Sequence, residues 1–350
     1  MISTLFISIS FIGCFNPQIS QKEKIIGPPT STNFRYDKVF KRLEKMREIM
    51  LDKNANVMIQ VESIQNATTG RLQVDIKHFI ERPLIEYFRS IKVVAYDPEY
   101  ELNKQKMMGI RDSVWGDYII TGEISEYGNN IYSEGRELNG DLEFGRGRGF
   151  TSLNNNFSSD YSKSYLTVDL KIKNKKGIYD TGSIASNTIF IYQLSKSNEF
   201  GFFLNNLGIG ISKDISFKQS IDRALRIVSE YSLIQLLGRF DNIPYWKCFE
   251  GKLKLKEDPL VIEHWKYFFN NSKNKLLLIK MILKRGYRLG FINMDSNYLN
   301  KCEREVLLKI KNYYNIKYSI KSVNFFVELY RHAPIFVRPE FLEDFSCKDK

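Results

Sequence analysis

Between Glu137 and Phe144 the chain alternates strictly. Leu138, Gly140, Leu142 and Phe144 share one side, and Glu137, Asn139, Asp141 and Glu143 share the other. Side chains two residues apart point to the same face of a strand, so this pattern predicts a ribbon with one apolar and one polar face. A second stretch starts near Thr188. Phe190, Tyr192 and Leu194 fall on one face, Phe200, Phe202 and Leu204 continue it, and Leu207, Ile209 and Ile211 return after a turn at Asn205-Asn206. Lys196 and Asn198 interrupt that face, which requires a bulge or a position at a water interface. Each excursion holds two strands longer than the roughly 9–11 residues that cross a bilayer. Four strands cannot close a conducting barrel. If these strands enter lipid, several copies must share one sheet, because an open edge in hydrocarbon leaves backbone groups unpaired. A β-layer in water, extending a soluble sheet, fits the same alternation.

Around these ribbons the periodicity is that of ordinary α/β structure. Val39, Leu43, Met46 and Met50 mark an amphipathic helix over Tyr36 to Met50. Asn56 to Val61 reads as a strand, Ser63 to Gly70 as a polar loop, and Arg71 to Ser90 as a helix that Pro83 either starts or kinks. Ile91 to Tyr96 is a second strand, Pro98 to Ile110 is helix-like, and Tyr118 to Ile124 is a third strand after Gly116-Asp117. A further strand runs through Tyr161 and Tyr165 into Leu166, Val168, Leu170 and Ile172, and Lys175-Lys176-Gly177 turns it towards Ser183-Ile184. The expected class is α+β: an α/β domain over residues 33–250, two long hairpins at about 128–168 and 186–217 that either extend a soluble sheet or enter a shared oligomeric barrel, and a small helical domain over 251–350.

The first residues change the address of the chain. Ile2 to Gly13 are apolar or small, with no Lys or Arg before them, and predict a signal peptide over 1–13. Phe11-Ile12-Gly13-Cys14 resembles a bacterial lipobox, although Phe11 stands where Leu is usual. Acyl chains on Cys14 would anchor the protein in a membrane, with residues 14–32, polar and containing Gly27-Pro28-Pro29, as a tether. Phe15 rather than Asp follows the cysteine, so nothing retains the product at the inner membrane. A buried N-terminal strand with an incidental cysteine is the alternative. Past this segment no run approaches the ~20 apolar residues of a spanning helix.

Composition and charge add less. Aromatic residues make up 14% of the chain, with 25 Phe and 20 Tyr. Interface girdles use them, as do tyrosine-rich soluble proteins. The net charge is +12, and residues 251–350 hold 20 Lys and Arg against 11 Asp and Glu. That excess of nine suits an anionic contact or a solvated basic face; no nucleic-acid motif accompanies it, and no nucleic-acid partner is expected. Gly145-Arg146-Gly147-Arg148-Gly149 is not a phosphate loop, because no Lys-Ser/Thr follows. Cys248, Cys302 and Cys347 lack metal spacing, and a Cys248–Cys302 bridge cannot be argued from spacing. His78, His264 and His332 are isolated, and Glu303 and Glu305 fall on opposite helix faces. Neither an enzyme, a metal nor a cofactor is expected.

Four segments carry a family resemblance. Tyr118 to Tyr127 (YIITGEISEY) resembles the strand before the first membrane hairpin of the CsgG-type curli secretion channel. Tyr165 to Gly182 is similar to that family's next strand pair, Ser186 to Tyr192 to the start of its second hairpin, and Ser220 to Leu237 with Pro244-Tyr245-Trp246 to its closing helix and tail. With the lipobox, the resemblance covers roughly residues 14–250. It implies a homo-oligomeric ring of outer-membrane lipoproteins, each giving two hairpins to one barrel above periplasmic α/β domains. Such a ring exports unfolded adhesive subunits without nucleotide hydrolysis, with periplasmic accessory proteins as partners. Leu138, Leu142, Phe144, Phe190, Tyr192 and Phe202 would face lipid. The loop Ser63 to Arg71 is shorter than the family's pore loop and has no Tyr or Phe; if it narrows a pore, Gln65, Asn66, Thr68 and Arg71 do so with polar groups. A plain strand-to-helix loop is the other reading. In the C-terminal part, helices over Asn274–Lys284, Cys302–Tyr314 and Val323–Tyr330, with a corner at Gly286-Tyr287 and Gly290, resemble a small peptidoglycan-binding module, though Asn293-Met294 replaces its usual Asp-Gly. Peptidoglycan is thus a candidate partner, as is docking on the ring or an accessory protein. The competing function is a non-channel outer-membrane lipoprotein that binds the cell wall or regulates its synthesis.

Overall fold

The computed structural model describes residues 36–51, 57–68, 74–94, 116–132, 161–174, 180–194, 200–204, 207–212, 217–249 and 255–342. In chain order they form α1 (Asp37–Met50), β1 (Val57–Val61), β2 (Gln65–Asn66), α2 (Lys77–Tyr87), β3 (Ile91–Val94), β4 (Tyr118–Tyr132), β5 (Tyr161–Asn174), β6 (Asp180–Leu194), β7 (Phe200–Leu204), β8 (Leu207–Ser212) and α3 (Phe217–Phe240). A 3₁₀ turn (Tyr245–Cys248) leads to α4 (Pro259–Asn271), α5 (Lys275–Arg285), α6 (Lys301–Tyr313) and α7 (Val323–His332). The class is α+β.

One mixed sheet runs in the order β3-β1-β4-β5-β6-β7-β8, with β2 beside β4. β1 lies parallel to β3 and β4, while β4 through β8 are antiparallel neighbours. Alternation places Leu166, Val168, Leu170 and Ile172 of β5, with Ala185, Ile189 and Ile191 of β6, on one buried face. The long helix α3 packs against that face, and α1 and α2 pack beside it. α3 is buried almost all round from Ile227 to Leu237, as a helix between a sheet and other helices must be. Pro83 sits inside α2 with its ring buried, rather than starting the helix.

The sequence reading and the fold differ beyond β6. The expected ribbon through Leu204 does not form: β6 ends at Leu194, and β7 runs back antiparallel beside it with Ile191 opposite Phe202. The intervening Ser195-Lys196-Ser197-Asn198-Glu199 is a run of five polar residues in the sequence and lies outside the described residues. Fold-back lets Phe200, Phe202 and Leu204 join the buried face. β7 and β8 consequently have only 5 and 6 residues, against 15, 14 and 15 in β4, β5 and β6.

Residues 255–342 form a helical module docked on the α/β domain. Asp258 caps α4 and Pro259 follows it, a start signal the periodicity reading passed over. Across the junction, Trp265 Nε1 donates to the Asn242 carbonyl at 2.8 Å, Arg285 Nη1 to that of Met50 at 2.8 Å, and Lys247 Nζ to that of Ala333 at 2.9 Å. Inside the module, Lys280 and Glu303 form a fully buried ion pair at 3.2 Å. Lys280 also donates to Asn293 O and Ser296 Oγ, and Glu303 accepts from the backbone N–H groups of Asn293 and Asn300, so the corner after Tyr287 is clamped from both sides. Cys248 is free and buried, whereas Cys302 is disulfide-bonded. The two are therefore not each other's partners.

Candidate functional site

The face of the sheet opposite α3 changes character along its length. At the Lys173 end of β5 it is charged: Asp169 lies opposite Glu123, Lys171 opposite Thr121 and Lys173 opposite Ile119. Glu62, Thr121, Glu123, Asp169, Lys171 and Lys173 line a cleft of about 320 Å³ there, and Ile184 beside it is exposed. Further along, the face carries hydroxyls and one carboxylate. Thr167 Oγ1 donates to Glu126 Oε2 at 2.9 Å and lies 2.9 Å from Thr188 Oγ1. Glu126 reaches this face because the pairing slips between Ile124 and Glu126. The extra residue, Ser125, reverses the phase of β4 and takes a carboxylate out of the core.

Beyond Thr167 the same face becomes aromatic. Tyr165 lies opposite Phe190, and Phe190 opposite Phe203. The Tyr192 and Phe203 rings meet edge to face with centroids 5.1 Å apart, and Lys163 Nζ sits 4.3 Å from the Phe190 ring centre. The Tyr165 ring covers Gly128, where a Cβ would stand 2.2 Å from a ring carbon. Only glycine lets the ring lie flat on the neighbouring strand. This charged-to-aromatic progression points towards the strand ends that lead into residues 133–160 and 195–199.

The candidate lipid-facing residues separate into three groups. Phe190 and Tyr192 are half-buried members of the aromatic patch. Phe202 lies on the opposite face, 2% exposed among the residues packed under α3, because it pairs with Ile191 rather than with Phe190 or Tyr192. The single face expected for these three therefore does not exist in this subunit. Leu138, Leu142 and Phe144 lie outside the described residues, as do the candidate lipidation site Cys14 and the tether. Tyr165 and Phe203 belong to the patch but were missed as site residues, since cross-strand register alone brings them to Phe190.

The candidate constriction loop is partly ordered by hydrogen bonds. Gln65 and Asn66 form β2, with Gln65 opposite Glu123 and exposed. Asn66 Oδ1 accepts from Thr68 N at 2.9 Å and Thr68 Oγ1 at 2.6 Å, so these two side chains face each other. Asp75 staples the loop base, accepting from Ile64 N, Lys77 N and Ser63 Oγ. Burial alone would raise the Asp75 pKa; the hydrogen bonds from Lys77, Ile64 and Ser63 hold it below the usual carboxylate range. Arg71 lies outside the described residues. The three histidines stay apart: His78 Nδ1 is 3.1 Å from the Asp75 carbonyl, His264 is exposed, and His332 stacks on Tyr314. Among the described residues no cluster of His, Cys, Asp and Glu has the makings of a metal site, and no helix is long and apolar enough to cross a membrane. No protein-family model matches this chain, and no curated protein matches it significantly.

Proposed function

We propose that the chain is a lipid-anchored, outer-membrane subunit of an oligomeric channel that exports unfolded protein subunits. The observation that carries this reading is the passage of one sheet face from charged to aromatic along β4, β5 and β6. A strand pair that leaves water for a bilayer needs such a band, with Tyr and Phe at the boundary and a lysine folded over their rings. These three strands exceed the ~9–11 residues of a membrane crossing. The disulfide at Cys302 supports an oxidising compartment such as the periplasm. In this reading Cys14 carries the lipid, copies of the chain form a ring, and each lends two hairpins to a common barrel. β7 and β8 are too short to span, so residues 200–212 must re-pair as one longer arm when copies assemble.

The full chain, expressed with its leader in a Gram-negative host, should enter the outer-membrane fraction, run as a heat-modifiable, detergent-resistant ring and raise planar-bilayer conductance. A detergent-free, water-soluble monomer without conductance would sink the proposal. Arg71→Glu should change ion selectivity in single-channel recordings; unchanged selectivity removes the 63–71 loop from the pore.

The brevity of β7 and β8 favours a second reading, a non-channel outer-membrane lipoprotein whose α5–α7 unit binds the cell wall. It expects retention on purified sacculi above a charge-matched control, with no ring and no conductance.

A further inference from the structure

We propose that a closed circuit of hydrogen bonds, buried from Asn187 to Asp258 and reaching the surface where Arg239 meets Ile184, couples docking of the C-terminal module to the stability of β6. The circuit begins on β6 at Asn187, which is 2% exposed and donates through Nδ2 to Ser232 Oγ at 3.0 Å and Gln235 Oε1 at 2.8 Å, both on α3. Gln235 Nε2 donates to the Tyr245 hydroxyl at 3.2 Å. That hydroxyl donates to Asp258 Oδ2 at 2.8 Å, and Arg239 Nε donates to the same oxygen at 2.7 Å. Arg239 Nη1 then donates to the carbonyl of Ile184, back on β6 three residues from the start.

Asp258 is the hinge of this arrangement. Its Oδ1 accepts from Leu260 N and caps α4, the first helix of the module, so the carboxylate that opens the module also terminates the circuit. Tyr245 is held in place by Gly238, where a Cβ would lie 2.3 Å from the ring. Burial and the neighbouring Asp258 raise the pKa of its hydroxyl, which keeps it a donor. Polar groups this deep cannot lose a partner without exposing the next one to the same deficit. Withdrawing Asp258 takes the acceptor from the Tyr245 O–H and the Arg239 Nε–H, and so loosens the residues that hold Gln235, and through it Asn187, on one side and the Ile184 carbonyl on the other. Asn187 lies opposite Val168 and immediately before the strand pair that carries the aromatic patch. Linkage makes the effect reciprocal: whatever loosens β6 at Asn187 must weaken module docking by the same factor. The functional meaning, that a ligand of the module tunes the membrane-directed strands, rests on the channel reading; the coupling itself does not.

Hydrogen exchange by mass spectrometry on the full chain in detergent micelles tests it. Tyr245→Phe, which removes one hydroxyl, should accelerate exchange about tenfold both in residues 183–191 and in α4, the scale of one lost buried hydrogen bond to a charged group. Asn187→Ser should do the same from the other end, accelerating α4, which it does not touch. It also serves if Tyr245→Phe fails to fold. Acceleration confined to the end that carries the change overturns the proposal. A protein that shows the cross-effect without conductance rejects the channel alone, and one that conducts without the cross-effect rejects the coupling alone.

Discussion

The α/β domain and the C-terminal module each bury one cation completely, and they use it over different distances. Arg47 of α1 binds Asp241, which follows α3 and lies 194 residues away, and also donates to Ser90 Oγ at 2.6 Å while lying 3.8 Å from Glu44. Lys280 binds Glu303 on the next helix and carbonyls of the corner between them. The first cation joins distant parts of the chain; the second clamps one local turn. Removal of Arg47 takes the cation from the buried Asp241 carboxylate, while Glu44 still accepts from Arg89 N, Ser90 N and Ser90 Oγ. Removal of Lys280 strands Glu303, which still accepts two backbone N–H groups.

This contrast sets the order of expected effects. Arg47→Met should be the most damaging change, costing about 3–5 kcal/mol of domain stability by chemical denaturation, because an uncompensated buried charge remains. A loss under about 1 kcal/mol would show that Asp241 relaxes to water, and the contrast would collapse. Lys280→Met should cost about 3 kcal/mol, and adding Glu303→Leu should recover most of it, since apolar replacement of a whole buried pair is often neutral. Failure to recover would mean that the corner itself needs the ions.

The seam between the regions supplies a pH test. Burial, opposed by Glu257 and reinforced by Arg331, lowers the Lys247 pKa from 10.5 to about 8. Between those values the unfolded chain holds the proton and the folded chain does not, so stability rises with pH, by on the order of 2–3 kcal/mol across the window. Its neighbour acts oppositely: burial pushes the Cys248 thiol from 9.0 up to about 12, so its contribution falls as pH climbs above 9. In a Cys248→Ala background the rise should be visible from pH 8 to 10.5, and Lys247→Met should abolish it. The smallest effect expected is Asn300→Ala, about 1 kcal/mol for the loss of the α6 capping box, read as a lower melting temperature of the module.

Legibility also divided by region. In the module, Asn274, Asn300 and Ser322 each accept a backbone N–H at the start of a helix, so α5, α6 and α7 were readable to within two residues at every boundary. α4 went unread although Asp258-Pro259 announced it, because attention to apolar spacing passed over a cap. In the α/β domain the periods located α1, β1 and β3, while α3 was expected only from the family resemblance. Gln65 and Asn66, candidates for a constriction, were read as loop and pair with β4, a contact no local pattern announces.

In regular segments such as α1 and β5 the amino-acid order alone determined which side chains share a face, because the periods of helix and strand are local geometry. It also held the polar run 195–199, whose Lys196 and Asn198 interrupt the alternation between the segments of β6 and β7. Only the tertiary structure decided that Phe202 parts company with Phe190 and Tyr192, that Ser125 shifts Glu126 to the open face, and that Asp258 reaches β6 through Tyr245 and Gln235. Each depends on which strand or helix lies alongside, and a partner 10 to 48 residues away leaves no trace in the periodicity of either segment.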